Sequence, residues 1–176
     1  MSLVPPPTVQ KLPTALHAKA KGSPGYRFYR LYDKVYRRDI LEFAYRRCRS
    51  NEGAPGVDGQ TFEDIEAYGR DRWLDELTTE LRERTYHPNP VRRVFIPKPD
   101  GKQRPLGIAT IRDRVAQMAV MLVLEPIFEA DLRPEQHAYR PDHSALDAIR
   151  QVHGHVSTGH TEVVDADLSG YFEMAS

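Results

Sequence analysis

The sequence has 176 residues, of which 40% are hydrophobic and 28% are charged, and this composition is typical of one ordinary globular domain. Its 25 basic and 25 acidic residues cancel, so overall charge argues neither for nor against a polyanionic partner. A single cysteine excludes an internal disulfide, and no secretory signal or membrane-spanning stretch is recognisable, so we expect a cytoplasmic protein without membrane contact.

Charge is distributed unevenly along the chain. Residues 27–49 contain eight basic and three acidic side chains, residues 52–81 two basic and nine acidic, and residues 82–104 seven basic and two acidic. Such runs are usually solvated helix faces, but two basic stretches can also line a groove that holds a phosphate backbone. The sequence leaves both interpretations open.

The N-terminal segment differs in composition from the rest. Residues 1–25 contain five prolines and three lysines, which predicts a mobile Pro-rich arm outside the fold. Helix is predicted from about Tyr26 and most clearly over 35–48, where apolar residues recur every three or four positions. Tyr29, Tyr32 and Tyr36 have helical spacing, for which core packing is the favoured interpretation and stacking on nucleic-acid bases the alternative.

A tight connection and a second helix follow. The run GAPGVDGQT at 53–61 combines three glycines with a proline, and Thr61 with Asp64 matches the pattern of a helix start. Trp73, Leu77 and Leu81 then form an apolar stripe with helical spacing, which predicts a buried helix face.

A β-hairpin is predicted in VRRVFIPKPDGKQRPLGI at 91–108. Asp-Gly in the turn PDGK supplies the backbone angles of a tight turn, and apolar residues flank it on both sides. Pro97, Pro99 and Pro105 interrupt a continuous ladder, so a two-stranded projection is favoured over the middle of a sheet.

Two further helices are predicted before the chain ends. Residues 110–129 repeat apolar side chains at helical spacing, and a shorter helix begins at Ser144 with Asp147 in the capping-box position. Its buried stripe is predicted to consist of Leu146, Ile149 and Val152. Together with the hairpin and a late strand, these helices predict an α+β fold.

The last 16 residues, TEVVDADLSGYFEMAS at 161–176, combine a predicted strand with carboxylates and aromatic rings. Alternation places Val163, Asp165 and Asp167 on a wet face and Val164, Ala166 and Leu168 on a buried one. Two such carboxylates suit Mg²⁺, but the spacing alone favours the alternative, in which acids on an edge strand discourage aggregation. The following Ser-Gly turn, the Tyr-Phe pair and the basic hairpin shift the interpretation towards a site for a nucleoside triphosphate and its metal.

Four blocks carry a resemblance to a known family: GAPGVDGQT, YHPNPVRRVFIPKPDGKQRPLGIATIRDRVAQMAVMLVLEPIFE, HAYRPDHSALDAI and DADLSGYFE. In this order they resemble the N-terminal half of the reverse transcriptases, or maturases, encoded by bacterial group II introns, over about residues 26–172. The resemblance implies a right-hand polymerase, with its fingers at 26–160 and the start of its palm at 161–176. It also implies RNA-directed DNA synthesis, intron RNA binding and a bacterial cytoplasmic location.

The resemblance implies roles for individual residues. Asp167 would bind the catalytic Mg²⁺, with Mn²⁺ as the alternative ion, and the backbone carbonyl of Leu168 would contact the same metal. Phe172 would select deoxynucleotides, and Lys98 and Arg104 would hold the incoming dNTP. Contacts to template or intron RNA and to a DNA or RNA primer are expected from Arg92, Arg93, Lys102, Arg114, Tyr139 and Arg140.

One part of the family's pattern does not occur in these 176 residues. A two-metal centre needs a further carboxylate, which the family supplies from an aromatic-x-Asp-Asp hairpin, and no such tetrapeptide is present. The chain therefore looks cut within the palm, and we expect it alone to bind Mg²⁺ weakly, to extend no primer, and to self-associate or pair with a second chain. The alternatives are a catalytically inert RNA-binding module and a degenerate remnant.

Overall fold

The computed structural model of this protein describes residues 4–97, 99, 101–140 and 143–166. Seven helices and one two-stranded antiparallel sheet form in these residues, so the predicted mixture of α and β structure is confirmed. The elements in chain order are α1 (Pro7–Gly22), α2 (Tyr32–Val35), α3 (Arg38–Ser50), α4 (Phe62–Tyr68), α5 (Arg70–Glu83), β1 (Arg92–Pro97), β2 (Gln103–Ile108), α6 (Ile111–Glu129) and α7 (Ala145–Ser157).

The chain divides into two compact units, Met1–Asp131 and Leu132–Ser176. The first unit contains α1 to α6 and the hairpin, and the second contains α7. Sequence analysis did not predict this boundary, because it assigned residues 26–160 to one domain. The assignment of fingers and palm stays a prediction.

The hydrophobic core of the first unit is formed mainly by α3, α5 and α6. Ile40, Leu74, Leu77, Val115 and Val123 have no solvent-exposed surface. The predicted stripe of α5 is confirmed, since all three of its members are buried: Trp73, Leu77 and Leu81. α4 begins at a capping box in which Thr61 and Asp64 bond each other's backbone N–H groups, as their spacing predicted.

The exclusion of residues 1–25 from the fold was wrong for residues 7–22. These residues form α1, which packs against α6 and buries Val9, Leu16 and Ala20. Pro7 occupies the first helical position, where its fixed φ is compatible with a helix and its missing N–H is not needed. The apolar spacing of α1 was therefore a better guide than its proline content.

The predicted burial of Tyr29 and Tyr32 and the predicted strand at 163–166 were wrong. Tyr29 is 82% exposed, because the chain from Tyr26 to Leu31 is not helical, and Tyr32, the first residue of α2, is 43% exposed. Tyr36 packs half-buried against the core, as predicted. Residues 163–166 form no strand, and Val164 is 92% exposed, since within the described residues no neighbouring strand offers them a ladder.

The predicted stripe of α7 is also exposed. Leu146, Ile149 and Val152 expose more than half of their surface. An amphipathic face is buried only when another element covers it, and the described residues of the second unit form no other helix or strand. The start of α7 was predicted correctly, because the capping box of Ser144 and Asp147 is a local feature.

Among the described residues, no helix combines the length and the apolar character needed to cross a bilayer.

Cys48 provides a test of the core. It is buried on α3, and burial raises the pKa of its thiol to about 11. Because the folded state disfavours the thiolate, Cys48 contributes stability that is complete below the ordinary thiol pKa and is lost as the pH rises towards 11. At about pH 8 we expect a thiol reagent to modify native Cys48 about a hundredfold more slowly than the protein unfolded in guanidinium chloride. Equal rates would contradict the burial of this side chain.

Candidate nucleic-acid interface

The predicted hairpin is present and its register assigns each side chain to a face. β1 pairs with β2 so that Arg92 lies opposite Ile108 and Ile96 lies opposite Arg104. Directly opposed residues in an antiparallel pair point to the same side. Arg92 and Arg104 therefore share one face, here called the Arg92–Arg104 face, whereas Arg93 lies on the other.

The hairpin is exposed on both faces. All described residues from Arg92 to Gly107 are exposed, including Val94, Ile96 and Leu106 between the two arginines and Phe95 beside Arg93. A two-stranded ribbon is only marginally stable by itself in water. Basic, aromatic and aliphatic side chains of the ribbon are thus available together for contact with a binding partner.

A buried carboxylate fixes the base of the hairpin. Asp113, in the first turn of α6, is 2% exposed. Its Oδ2 accepts hydrogen bonds from the Thr110 hydroxyl at 2.7 Å and the Asn89 backbone N–H at 3.1 Å, and its Oδ1 accepts one from the Tyr86 hydroxyl. The Thr110 hydroxyl in turn accepts from the backbone N–H of Asp113 at 3.1 Å.

This network joins the two ends of the hairpin. Tyr86 and Asn89 precede β1, whereas Thr110 follows β2, so one carboxylate holds both to the start of α6. Burial, followed by the hydrogen bond to Asp113, raises the pKa of Tyr86, which keeps its hydroxyl a donor. The projecting ribbon therefore rises from a base with a defined orientation.

An ion pair connects this base to the core. Arg112 binds the Glu80 carboxylate through Nη2 at 2.6 Å and Nε at 3.2 Å, and its guanidinium lies 5.5 Å from the centre of the Trp73 ring. Glu80 and Trp73, the two residues that Arg112 contacts here, both lie on α5. Bidentate pairing fixes the direction of the arginine more strictly than a single contact would.

The loop GAPGVDGQT packs against the same helix start. A side chain at Gly56 would meet the backbone N and Cα of Thr110 at 2.6 Å, so only glycine fits this approach. Arg114 donates from Nη2 to the Ala54 carbonyl at 2.8 Å. Two separate blocks of the sequence are thus brought together at the start of α6.

The predicted contact residues are distributed unequally over the structure. Arg92 and Arg104 lie together, Arg93 lies on the reverse face, Lys102 is exposed beside the turn, and Arg114 holds the 53–61 loop. Lys98, Asp167, Leu168 and Phe172 lie outside the described residues.

Tyr139 and Arg140 belong to the second unit. Tyr139 is fully exposed at a left-handed φ of 60°, and Arg140 donates to the carbonyls of Arg133 and Gln136 at 2.7 and 2.9 Å. Their predicted contact with RNA stays a prediction, as does that of Arg114.

Sequence reasoning missed the importance of Asp113. The pattern Thr110-x-x-Asp113 before an apolar run is the signal that could have found it. What this pattern cannot show is that Tyr86 and Asn89, more than 20 residues earlier, complete the coordination of the carboxylate.

The structure leaves the metal site as a prediction. Within the part of the chain that the structure describes, no group of three or more His, Cys, Asp or Glu side chains is arranged to hold a metal ion. Asp167, which the resemblance assigns to Mg²⁺, is not among those residues.

The chain is homologous to group II intron-encoded proteins. It is 35% identical over 150 residues to the group II intron-encoded protein LtrA of Lactococcus lactis subsp. cremoris, and 37% identical over 171 residues to protein YkfC of Escherichia coli K12. It is also 30% identical over 140 residues to the putative COX1/OXI3 intron 1 protein of Saccharomyces cerevisiae. No protein-family profile matches the chain.

The alignments cover most of this chain and a smaller part of each relative. They include 94% of this chain and 45% of YkfC, 83% and 24% for LtrA, and 78% and 16% for the yeast protein. The chain therefore spans less than half the length of these relatives. The resemblance stated from the four blocks is confirmed at the level of the family.

Proposed function

We propose that this chain forms the nucleic-acid-binding fingers of a group II intron type reverse transcriptase, an RNA-directed DNA polymerase. The observation that carries the proposal is the exposed Arg92–Arg104 face on a hairpin whose base is fixed by Asp113, in a homologue of LtrA. Cations on a ribbon whose base is already fixed suit the phosphates of a template strand or of an incoming dNTP, because the direction of the ribbon is set before the ligand arrives.

The resemblance supplies the catalytic part of the proposal. Asp167 would hold Mg²⁺ or Mn²⁺ with the carbonyl of Leu168, and such ions neutralise the charge that develops on phosphate oxygens during nucleotidyl transfer. Lys98 and Arg104 would orient the triphosphate when a dNTP is bound, Arg104 would contact the template backbone beside Arg92 when none is bound, and Phe172 would exclude a ribose 2′-hydroxyl. These roles belong to the polymerase of which this chain would supply the fingers.

Binding is the activity that we propose for these 176 residues by themselves. They contain no aromatic-x-Asp-Asp tetrapeptide to complete a two-metal centre, so primer extension is proposed only for an assembly that includes one. The same absence supports a second candidate, an RNA-binding module without catalysis. Both candidates place intron or template RNA on the Arg92–Arg104 face.

Replacing both arginines of this face should weaken binding of an RNA template annealed to a DNA primer. For the variant Arg92→Ala/Arg104→Ala we expect affinity to fall about tenfold or more, since each arginine would lose a charge-assisted contact to phosphate. The slope of log K against log salt should become shallower by about 1.5, the value for two lost phosphate contacts. Fluorescence anisotropy over a series of KCl concentrations measures both quantities.

The matched control is Arg72→Ala/Arg150→Ala, which removes the same charge from two exposed helix positions. It should leave affinity and slope close to wild type. If the hairpin variant behaves like this control, the hairpin does not bind the phosphates and the proposal fails.

A further inference from the structure

Two tyrosines in contact with each other, each beside an arginine, lie together on one side of the first unit. The Tyr32 and Tyr36 rings meet edge to face with their centroids 5.7 Å apart. The Arg84 guanidinium lies 5.7 Å from the centre of the Tyr32 ring, and that of Arg82 lies 5.9 Å from the Tyr36 ring. These four residues are here called the tyrosine–arginine rim.

A groove of about 740 Å³ opens beside this rim, between α2, the end of α5 and α6. Among the described residues, its lining is mainly apolar, with one cation, two phenol rings and one amide but no acidic side chain. The cation is Arg84, the phenols are Tyr32 and Tyr86, and Val120 lies on the α6 side.

The aromatic walls of the groove are held in place. The Tyr32 hydroxyl donates to the Leu81 carbonyl at 2.5 Å, and the Tyr86 hydroxyl donates to Asp113. Because both phenols are anchored through their oxygens, their rings require little further ordering when a ligand arrives. Tyr86 also belongs to the network at the hairpin base, so the groove opens next to that base.

Arg84 adopts an unusual backbone conformation at the end of α5. Its φ is 60°, in the left-handed region that favours glycine, yet the residue is an arginine. Its guanidinium lies at the groove over the Tyr32 ring. Glycine would be less strained at this position, whereas the arginine places a cation beside the aromatic wall of the groove.

We propose that this groove binds an unpaired nucleotide of single-stranded RNA, with its base against Tyr32 and Tyr86 and its phosphate beside Arg84. Every base has a face that can stack on an aromatic ring, and an adjacent cation matches the phosphate. The volume lies within the range of sites for single small ligands. An acidic or purely apolar peptide would leave either the rings or the cation without a complementary group.

The residues that precede α2 in the chain carry the same kinds of side chain as the tyrosine–arginine rim. Tyr29 is 82% exposed, and Arg27 and Arg30 beside it are exposed as well. This interleaving of aromatic and basic side chains is typical of surfaces that bind single strands. The inference rests on the proposed function in requiring an RNA ligand, but it uses residues other than those of the Arg92–Arg104 face.

Two variants test the groove with a labelled oligouridylate of about ten nucleotides, which forms no duplex. Arg84→Gly removes the cation and relieves the left-handed backbone, and Val120→Glu adds a carboxylate at a lining position that is 39% exposed. We expect each to weaken oligouridylate binding by about fivefold or more, the loss that corresponds to one stacked base. Arg72→Gln, which removes a charge from the start of the same helix α5, should bind as wild type does.

The readouts separate failure of this inference from failure of the proposed function. If both groove variants bind oligouridylate as wild type does, while Arg92→Ala/Arg104→Ala still loses the template–primer duplex, the groove inference is overturned and the proposed function stands. If that hairpin variant also binds normally, both are overturned. Dissociation of a self-associated wild type by Val120→Glu, with oligouridylate binding unchanged, would assign the groove to a second copy and also overturn the inference.

Discussion

Asp113→Ala is expected to lower the free energy of unfolding by about 3 kcal/mol, because it leaves several buried donors without an acceptor. The Tyr86 hydroxyl, the Thr110 hydroxyl and the Asn89 N–H all donate to this carboxylate. Their loss would also release the two ends of the hairpin from the start of α6. Urea denaturation followed by circular dichroism measures the change.

The matched control is Asp64→Ala. Asp64 forms the same capping arrangement with Thr61 at the start of α4, but it is exposed to solvent, where water can replace the lost hydrogen bonds. Its replacement should destabilise the protein much less than that of Asp113. Equal losses for the two variants would show that the Asp113 network contributes no more than an ordinary helix cap.

Gly56→Ala is expected to destabilise the protein by about 2 kcal/mol or more, since the added methyl group would overlap backbone rather than a movable side chain. The new Cβ would lie 2.6 Å from both the N and the Cα of Thr110 and 3.0 Å from the carbonyl carbon of Ala109. Either the 53–61 loop or the start of α6 must move. Thermal unfolding and the template–primer affinity of the variant measure the consequence.

Gly25→Ala is the control for this substitution. Apart from its two chain neighbours, no atom of the described residues lies within 4 Å of the position that the added methyl group would take there, and we expect a change of no more than about 0.5 kcal/mol. If Gly56→Ala is as stable as Gly25→Ala, the loop does not pack against α6 as closely as the structure shows.

Local features of the sequence predicted individual elements well. The capping residues Thr61 and Ser144 start α4 and α7, and β1 pairs with β2 on either side of the predicted turn, of which Asp100 lies outside the described residues. Each of these signals depends on hydrogen bonds or backbone angles within a few residues. Such features need no knowledge of the rest of the chain.

Burial was predicted less well, because it depends on what covers a surface. The stripe on α5 found partners in the core, whereas the equally regular stripe of Leu146, Ile149 and Val152 remains exposed. In α1, proline content masked an apolar pattern that α6 covers. A periodic pattern states which face could be buried, and only tertiary contacts decide whether it is.

In the candidate site, too, local features were predictable from the sequence and features that depend on tertiary contacts were not. The basic hairpin was predictable from its turn and composition, but the placement of Arg92 and Arg93 on opposite faces required the register. The role of Arg114 in holding the Ala54 carbonyl required a contact across 60 residues. The helical spacing of Tyr29, Tyr32 and Tyr36 was visible in the sequence, but only the structure shows that Tyr29 and Tyr32 are exposed whereas Tyr36 packs half-buried against the core.

The salt dependence of template–primer binding tests the central claim most directly. We predict that wild-type protein binds an RNA template annealed to a DNA primer, with affinity that falls linearly on a log–log plot as KCl rises, and that Arg92→Ala/Arg104→Ala lowers the slope by about 1.5. Absence of binding by the wild type at low salt, or an unchanged slope in the variant, would contradict the proposal that this hairpin binds the phosphates of the nucleic acid in a polymerase.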